Sequence, residues 1–191
     1  RVENMNSEFL TYKSDHLVYF DGESEFPLVK VVENYQGPVF FYILNFIRSR
    51  AIKMKNALNG VKLFYALKAN THHQILNTFK QQGIGIDVVS GGEIKHAVAS
   101  GFGYDSLVYS GVGKTKPELE LAIANNIYQI NVESIPELQR IGEVAKKLKT
   151  KANVAFRINP DISIKSHPYI ATGLKDNKFG IDTNQLTEVI E

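Results

Sequence analysis

Three side chains in this sequence could carry reactive chemistry together: the amine of Lys68, the carboxylate of Asp87 and the guanidinium of Arg157. Each ends a short apolar run, Phe64-Tyr65-Ala66-Leu67-Lys68, Ile84-Gly85-Ile86-Asp87 and Val154-Ala155-Phe156-Arg157. An apolar strand that ends on an ammonium is unusual, because burying the charge costs free energy unless it is paired or neutralised. Desolvation lowers a lysine pKa and makes the amine a better nucleophile toward carbonyls. The competing reading is a lysine that snorkels from a strand end into water. Ser110 and Asn131 end two further runs and read first as loop-entry residues. Asp87 could equally cap the turn before Ser90, and Arg157 could pair with Asp161. A lysine, a carboxylate and a guanidinium at one mouth would suit an anionic aldehyde cofactor.

The elements that position these residues repeat. Short apolar strands begin near Val61, Ile84, Leu107, Tyr128 and Asn153, a spacing of roughly 21–25 residues that marks a supersecondary repeat. A helix start follows each of the first four strands, with capping-box spacing at Thr71-x-x-Gln74, Ser90-x-x-Glu93, Thr115-x-x-Glu118 and Ser134-x-x-Glu137. Pro117 and Pro136 fall in first turns, where a missing N–H costs nothing. Strand–helix alternation at this period predicts parallel strands with right-handed crossovers. A doubly wound sheet would want a glycine-rich turn after the first strand, and Ala69-Asn70-Thr71-His72 has none. The expected fold is therefore α/β, a (β/α)₈ TIM-type barrel. Such a barrel needs about 250 residues, so the 191 present predict only part of one, with Thr183–Glu191 read as a helix in progress. In a barrel, the C-terminal strand ends face the active site, which places Lys68, Asp87, Ser110, Asn131 and Arg157 on one rim.

Before the repeat, residues 1–37 are mixed, with a strand predicted over Leu17–Phe20 and a turn at Asp21-Gly22. Val39–Leu44 reads as a strand after Gly37-Pro38, and Asn45 as the cap of a helix whose apolar face is Ile47, Ala51, Met54 and Leu58. Composition excludes more than it selects. An apolar fraction of 43% and a charged fraction of 22% are those of an ordinary globular protein. A net charge of +2 gives no global case for nucleic acid or a membrane surface. The longest apolar run, Val39–Leu44, is too short to span a bilayer, and Arg1–Asn6 does not read as a signal peptide. The absence of cysteine removes disulfides and thiolate metal sites and fits a cytoplasmic setting. Gly111-Val112-Gly113-Lys114-Thr115 imitates the tail of a P-loop, but Val108 stands where the first glycine is required. His72, His73 and His167 lack partners at metal-ligand spacing, so no metal is expected.

The motif blocks, taken in order, resemble those of a known family. Tyr65-Ala66-Leu67-Lys68-Ala69-Asn70, Asp87-Val88-Val89-Ser90-Gly91-Gly92-Glu93, Ser110-Gly111-Val112-Gly113-Lys114, Asn131-Val132-Glu133-Ser134, Arg157-Ile158-Asn159-Pro160-Asp161 and His167-Pro168-Tyr169-Ile170-Ala171-Thr172-Gly173 with Asn177-Lys178-Phe179-Gly180-Ile181 are similar to those of the diaminopimelate decarboxylases. The resemblance covers most of the chain from Gly37 onward. It implies a pyridoxal 5'-phosphate enzyme of the alanine-racemase-like fold, decarboxylating meso-diaminopimelate to L-lysine in lysine biosynthesis. By the same match Lys68 holds the cofactor covalently, while Ala66, Asp87 and Arg157 line its pocket. It further implies residues 1–37 as a segment that associates with a C-terminal β-domain, residues 38–191 as a partial cofactor-binding barrel, and a cytoplasmic homodimer at full length. The family's ring-stacking histidine, phosphate loop and substrate-recognition motifs would fall beyond Glu191, so the chain alone is expected to be inactive. Tyr42-Ile43-Leu44-Asn45 departs from the pattern, lacking an acidic residue after the tyrosine. Other readings are a non-catalytic pyridoxal-phosphate-binding barrel, an inactive homologue serving as a partner protein, and a decarboxylase of ornithine, arginine or carboxynorspermidine. The His167–Gly173 block favours diaminopimelate.

Overall fold

The structure is a computed structural model and describes residues 9–20, 23–159 and 180–185. Several sequence expectations lie outside the described residues: Arg1–Asn6, the Asp21-Gly22 turn, Asp161, His167 and its block, Asn177–Phe179, and most of the expected final helix.

The chain opens with an antiparallel sheet of β1 (Leu10–Lys13), β2 (His16–Phe20) and β3 (Glu25–Pro27), in that order, followed by the short helix α1 (Val29–Val32). The strand expected over Val39–Leu44 is absent; this stretch is irregular up to α2 (Leu44–Ala57), with Phe40 86% exposed. An apolar run alone does not make a strand, since it needs a neighbour to pair with. The helix cap is Ile43, and Asn45 sits inside the first turn with its side-chain amide donating to the Tyr19 hydroxyl. Of the predicted apolar face of α2, Ala51 is buried while Met54 and Leu58 are exposed.

The repeat is realised as β4 (Phe64–Ala66), α3 (His73–Gln81), β5 (Gly85–Val88), α4 (Gly91–Ala99), β6 (Leu107–Tyr109), α5 (Lys116–Ala124), β7 (Gln129–Val132), α6 (Ile135–Lys147) and β8 (Val154–Phe156). The five strands β4 to β8 are all parallel and lie in chain order. Order without reversal separates the two candidate folds. Right-handed crossovers between successive neighbours place every helix on one face of the sheet, as in a barrel wall; a doubly wound sheet must reverse. β9 (Ile158–Asn159) continues the wall by pairing in parallel with β10 (Ile181–Asp182).

The two faces of this wall differ in chemistry. Ile86, Val88, Leu107, Tyr109, Ile130 and Val132 alternate onto the helix side and are fully buried there with Leu76, Ile94 and Leu119. Asp87, Gln129 and Asn131 occupy the alternate positions. A period of two thus sends apolar residues to the helix layer and polar ones to the barrel interior.

The caps hold the repeat in phase. Ser90 Oγ accepts from Glu93 N–H at 3.2 Å and Ser134 Oγ from Glu137 N–H at 3.4 Å, as expected. Their glutamates reach one residue further back than a standard capping box, to the N–H of Val89 and of Glu133. At the start of α3 the cap is His72, not Thr71: its Nδ1 accepts from Gln74 N–H, while Asn70 Oδ1 accepts from His72 N–H.

Candidate functional site

The site is built at the C-terminal ends of the strands. β4 stops at Ala66, and Leu67–Ala69 forms a single 3₁₀ turn that carries Lys68. Leu67 anchors that turn in the core, fully buried. Tyr65, stacked on Phe79 at 4.1 Å, donates its hydroxyl to the Asn70 carbonyl at 3.1 Å and closes the turn from behind. Burial raises the Tyr65 phenol pKa, partly offset by this bond to Asn70. Two expectations for Lys68 are corrected here. It stands on a turn past the strand, and it is exposed, so the residues described do not supply the burial expected of a reactive amine.

Asp87 lies in β5 beside Ala66 of β4. Its Oδ1 accepts a hydrogen bond from the Ser110 hydroxyl. Behind Ser110 the donors run in one direction across the sheet. Asn131 donates to Ser110 Oγ at 2.9 Å, and Gln129 donates to Asn131 Oδ1 at 2.7 Å. Asp87 is therefore the end acceptor of a polar ladder, not the cap of a turn, and Ser110 and Asn131 are more than loop-entry residues. Arg157 follows β8 and meets Glu133, while the anticipated partner Asp161 lies outside the described residues. Its Nη1 lies 3.1 and 3.0 Å from the two carboxylate oxygens of Glu133, whose residue is 3% exposed.

Lys68, Asp87, Ser110, Asn131, Glu133 and Arg157 line one open cleft of about 770 Å³, together with the Gly111 turn. Ala66 is not among its lining residues. Glu133 and Gly111 escaped sequence reasoning as wall residues. Glu133 directly follows the last residue of β7, two positions after Asn131, and an acid at that strand end was the available signal. The set fits a small anionic carbonyl compound: one exposed amine to combine with the carbonyl, one fixed guanidinium for an anionic group, and a carboxylate held by hydrogen bonds. A P-loop is excluded by the geometry, because Lys114 is buried and bonded to protein. Among the described residues no group of His, Cys, Asp and Glu could hold a metal ion, and no helix is long and apolar enough to cross a membrane.

The rim is also stitched from one unit to the next. Glu118, at the start of α5, accepts from Thr115 N–H at 2.9 Å and from the Thr115 hydroxyl at 2.7 Å, and reaches back to Gly91 N–H at 2.8 Å. These bonds hold the Glu118 carboxyl below its ordinary value, the Thr115 and Gly91 amides acting most strongly. The neighbouring Tyr109 phenol is pushed far up, by burial first and then by the Glu118 charge. The Glu118 pKa is depressed in the folded state, so its contribution to stability is complete above the unfolded value near 4.5 and fades as pH falls through the folded value. Glu118→Gln is thus expected to melt below the parent at neutral pH and to converge with it in acid. A melting gap that stayed constant from neutral pH into acid would contradict this.

Residues 44–191 match the family model of the pyridoxal-dependent decarboxylases, specifically its pyridoxal binding domain. The diaminopimelate decarboxylase of Aquifex aeolicus is 38% identical over 187 residues, covering 96% of this chain and 44% of the relative. The crystal structure of diaminopimelate decarboxylase from Helicobacter pylori complexed with L-lysine superposes with a TM-score of 0.77 at 40% identity, covering 84% of this chain and 41% of that one. The enzyme of the same name from M. jannaschii, in co-complex with L-lysine, gives a TM-score of 0.78 at 35% identity, covering 96% of this chain and 44% of that one. The chain therefore spans less than half the length of these relatives.

Proposed function

The chain belongs to the pyridoxal-dependent decarboxylases, matching their pyridoxal binding domain over residues 44–191, and from that premise we propose that it is the cofactor-binding part of a diaminopimelate decarboxylase. The observation that carries the reading is the convergence of Lys68, Asp87 and Arg157 on one cleft at the C-terminal rim of a parallel barrel wall. The cofactor of this family is pyridoxal phosphate, which when bound supplies an electron sink for cleavage of the bond between Cα and the carboxylate.

The work of this chain is to hold and orient. Lys68 takes the covalent position, on a turn held by Leu67 below and the Tyr65–Asn70 bond behind. Ser110 fixes the Asp87 carboxylate by donating to it, and Asn131 fixes Ser110 in turn. Glu133 holds the Arg157 guanidinium at the rim of the cleft, where its charge would meet an anionic group of the cofactor or substrate. Ala66, beside Asp87 in the sheet, serves the pocket through its backbone neighbourhood. In this reading residues 1–37 associate with a C-terminal β-domain, and the complete enzyme is a cytoplasmic homodimer.

The substrate assignment rests on the named relatives, and a direct assay tests it. Full-length protein supplied with pyridoxal phosphate is expected to release CO₂ and L-lysine from meso-diaminopimelate, with kcat/KM exceeding that for ornithine or arginine by about 10²-fold or more. Preference for ornithine or arginine would replace the substrate. Cofactor binding without CO₂ release from any of the three would instead identify a non-catalytic binding protein.

A further inference from the structure

The run Gly111-Val112-Gly113-Lys114-Thr115 is left unused by the reading above, and its lysine is the most completely buried cation among the described residues, 3% exposed. Its ammonium spends all three N–H groups on protein acceptors: the Gly111 carbonyl at 2.7 Å, the Asn131 carbonyl at 2.7 Å and Glu137 Oε1 at 2.8 Å. It also lies 5.3 Å from the centre of the Tyr109 ring. Glu137 is 1% exposed, and the same Oε1 accepts from the backbone N–H of Glu133 at 3.3 Å. Glu133 in turn binds Arg157 and accepts from Gly111 N–H at 3.2 Å. Gly111 is thus tied at both its N–H and its carbonyl, and its φ of +88° over Val89 suits glycine.

A buried ion pair is weak evidence of stabilisation, because well-packed apolar residues of similar volume often serve as well. What the pair does here is connect. Neither Lys114 nor Glu137 lines the cleft, yet Lys114 holds the carbonyls of Gly111 and Asn131 and Glu137 holds the N–H of Glu133, all three of them cleft residues. We propose that Lys114 and Glu137 are positioning residues for cofactor binding, acting through Gly111 and Glu133 to hold the Arg157 guanidinium in place for an anionic group of the ligand. The proposal rests on the pyridoxal-phosphate reading and deepens it.

The test uses the full-length protein with pyridoxal phosphate as probe. Lys114→Met alone leaves Glu137 buried and unpaired and is a poor variant, because it could simply unfold. The double variant Lys114→Met, Glu137→Leu removes both charges and is expected to fold with a melting temperature near the parent's. Its cofactor dissociation constant should nevertheless rise by about tenfold, the effect of one disordered charge-assisted hydrogen bond, and the Gly111 amide should exchange faster with solvent. Adding Arg157→Met to the double variant should weaken binding little further, although Arg157→Met alone weakens it as much as the double change does. A folded double variant with unchanged cofactor affinity overturns the proposal, as does full additivity with Arg157→Met. Failure of the double variant to fold would assign the pair to stability and overturn it equally. A parent protein that binds no pyridoxal phosphate strikes the functional reading instead, and Gly111 exchange then decides the tether by itself.

Discussion

Lys68→Ala is expected to abolish the visible absorption of cofactor-loaded full-length protein and to cut turnover by at least about 10³-fold, with almost no change in the melting temperature of the cofactor-free protein. The two halves of that expectation have separate causes. Lys68 is exposed and engages no group among the described residues, so its truncation forfeits no packing or pairing there. Exposed substitutions of this kind stay within about 0.5 kcal/mol, less than about 2 °C for a chain of this size. The neighbouring turn is held by Leu67 and by the Tyr65–Asn70 bond, neither of which needs the amine. Lys68→Arg sharpens the test. It keeps the positive charge but cannot deprotonate to attack a carbonyl, so a covalent role predicts that Arg fails as Ala does, whereas a purely electrostatic role predicts rescue. Retention of the visible band in Lys68→Ala would place the covalent lysine elsewhere.

How far the sequence could be read depended on the range of the interaction. Caps and buried strands are local signals, and Ser90, Thr115 and Ser134 start their helices where the spacing places them. Strand order also followed, because a short, even period leaves room for no other crossover. The misread elements are those where a neighbour decided. Thr71 lost the cap because Asn70 and His72 satisfy the same N–H groups one residue later. Val39–Leu44 has a strand's composition but no strand beside it among the described residues. Lys68 was placed on the strand because Ala66-Leu67 continues the apolar run, although the sheet ends at Ala66. The wall of the cleft was hidden for the opposite reason. Glu118 to Gly91, Glu137 to Lys114 and Glu133 to Arg157 each join residues from successive units, 23 to 27 positions apart. A capping glutamate is explained twice, once by its own helix and once by the unit before it, and the local explanation conceals the second. Read by its spacing alone, Lys114 resembles a phosphate-binding lysine; three protein acceptors around its amine make it a structural one.

The floor of the barrel wall supplies the second large effect: Gly85→Ala is expected to destabilise the protein by about 2 kcal/mol, the middle of the range for overpacking, or about 4–8 °C in melting temperature. Two effects oppose each other. Alanine reduces the freedom of the unfolded chain, which by itself stabilises by about 0.4–1 kcal/mol where the backbone permits. Against this, a Cβ on Gly85 would lie 2.5 Å from Cδ1 of Phe64 and 2.5 Å from the Ser106 carbonyl oxygen. Phe64 pairs with Gly85 across β4 and β5, and its ring is stacked on Tyr128 at 5.4 Å, with Lys62 Nζ 4.1 Å from the centre of the Tyr128 ring. The ring therefore has little room to withdraw, and the Ser106 oxygen belongs to the backbone and can retreat only by moving the loop into β6. Sterics should win. Combining Gly85→Ala with Phe64→Leu separates the two clashes. Partial recovery is expected, since the leucine relieves only the ring; complete recovery would show that Ser106 yields freely, and an unchanged melting temperature in Gly85→Ala alone would show that β5 shifts without strain. Asp87 lies two residues along the same strand and takes its place in the cleft from the register that Gly85 permits, so the single variant should also bind pyridoxal phosphate more weakly than its loss of stability requires.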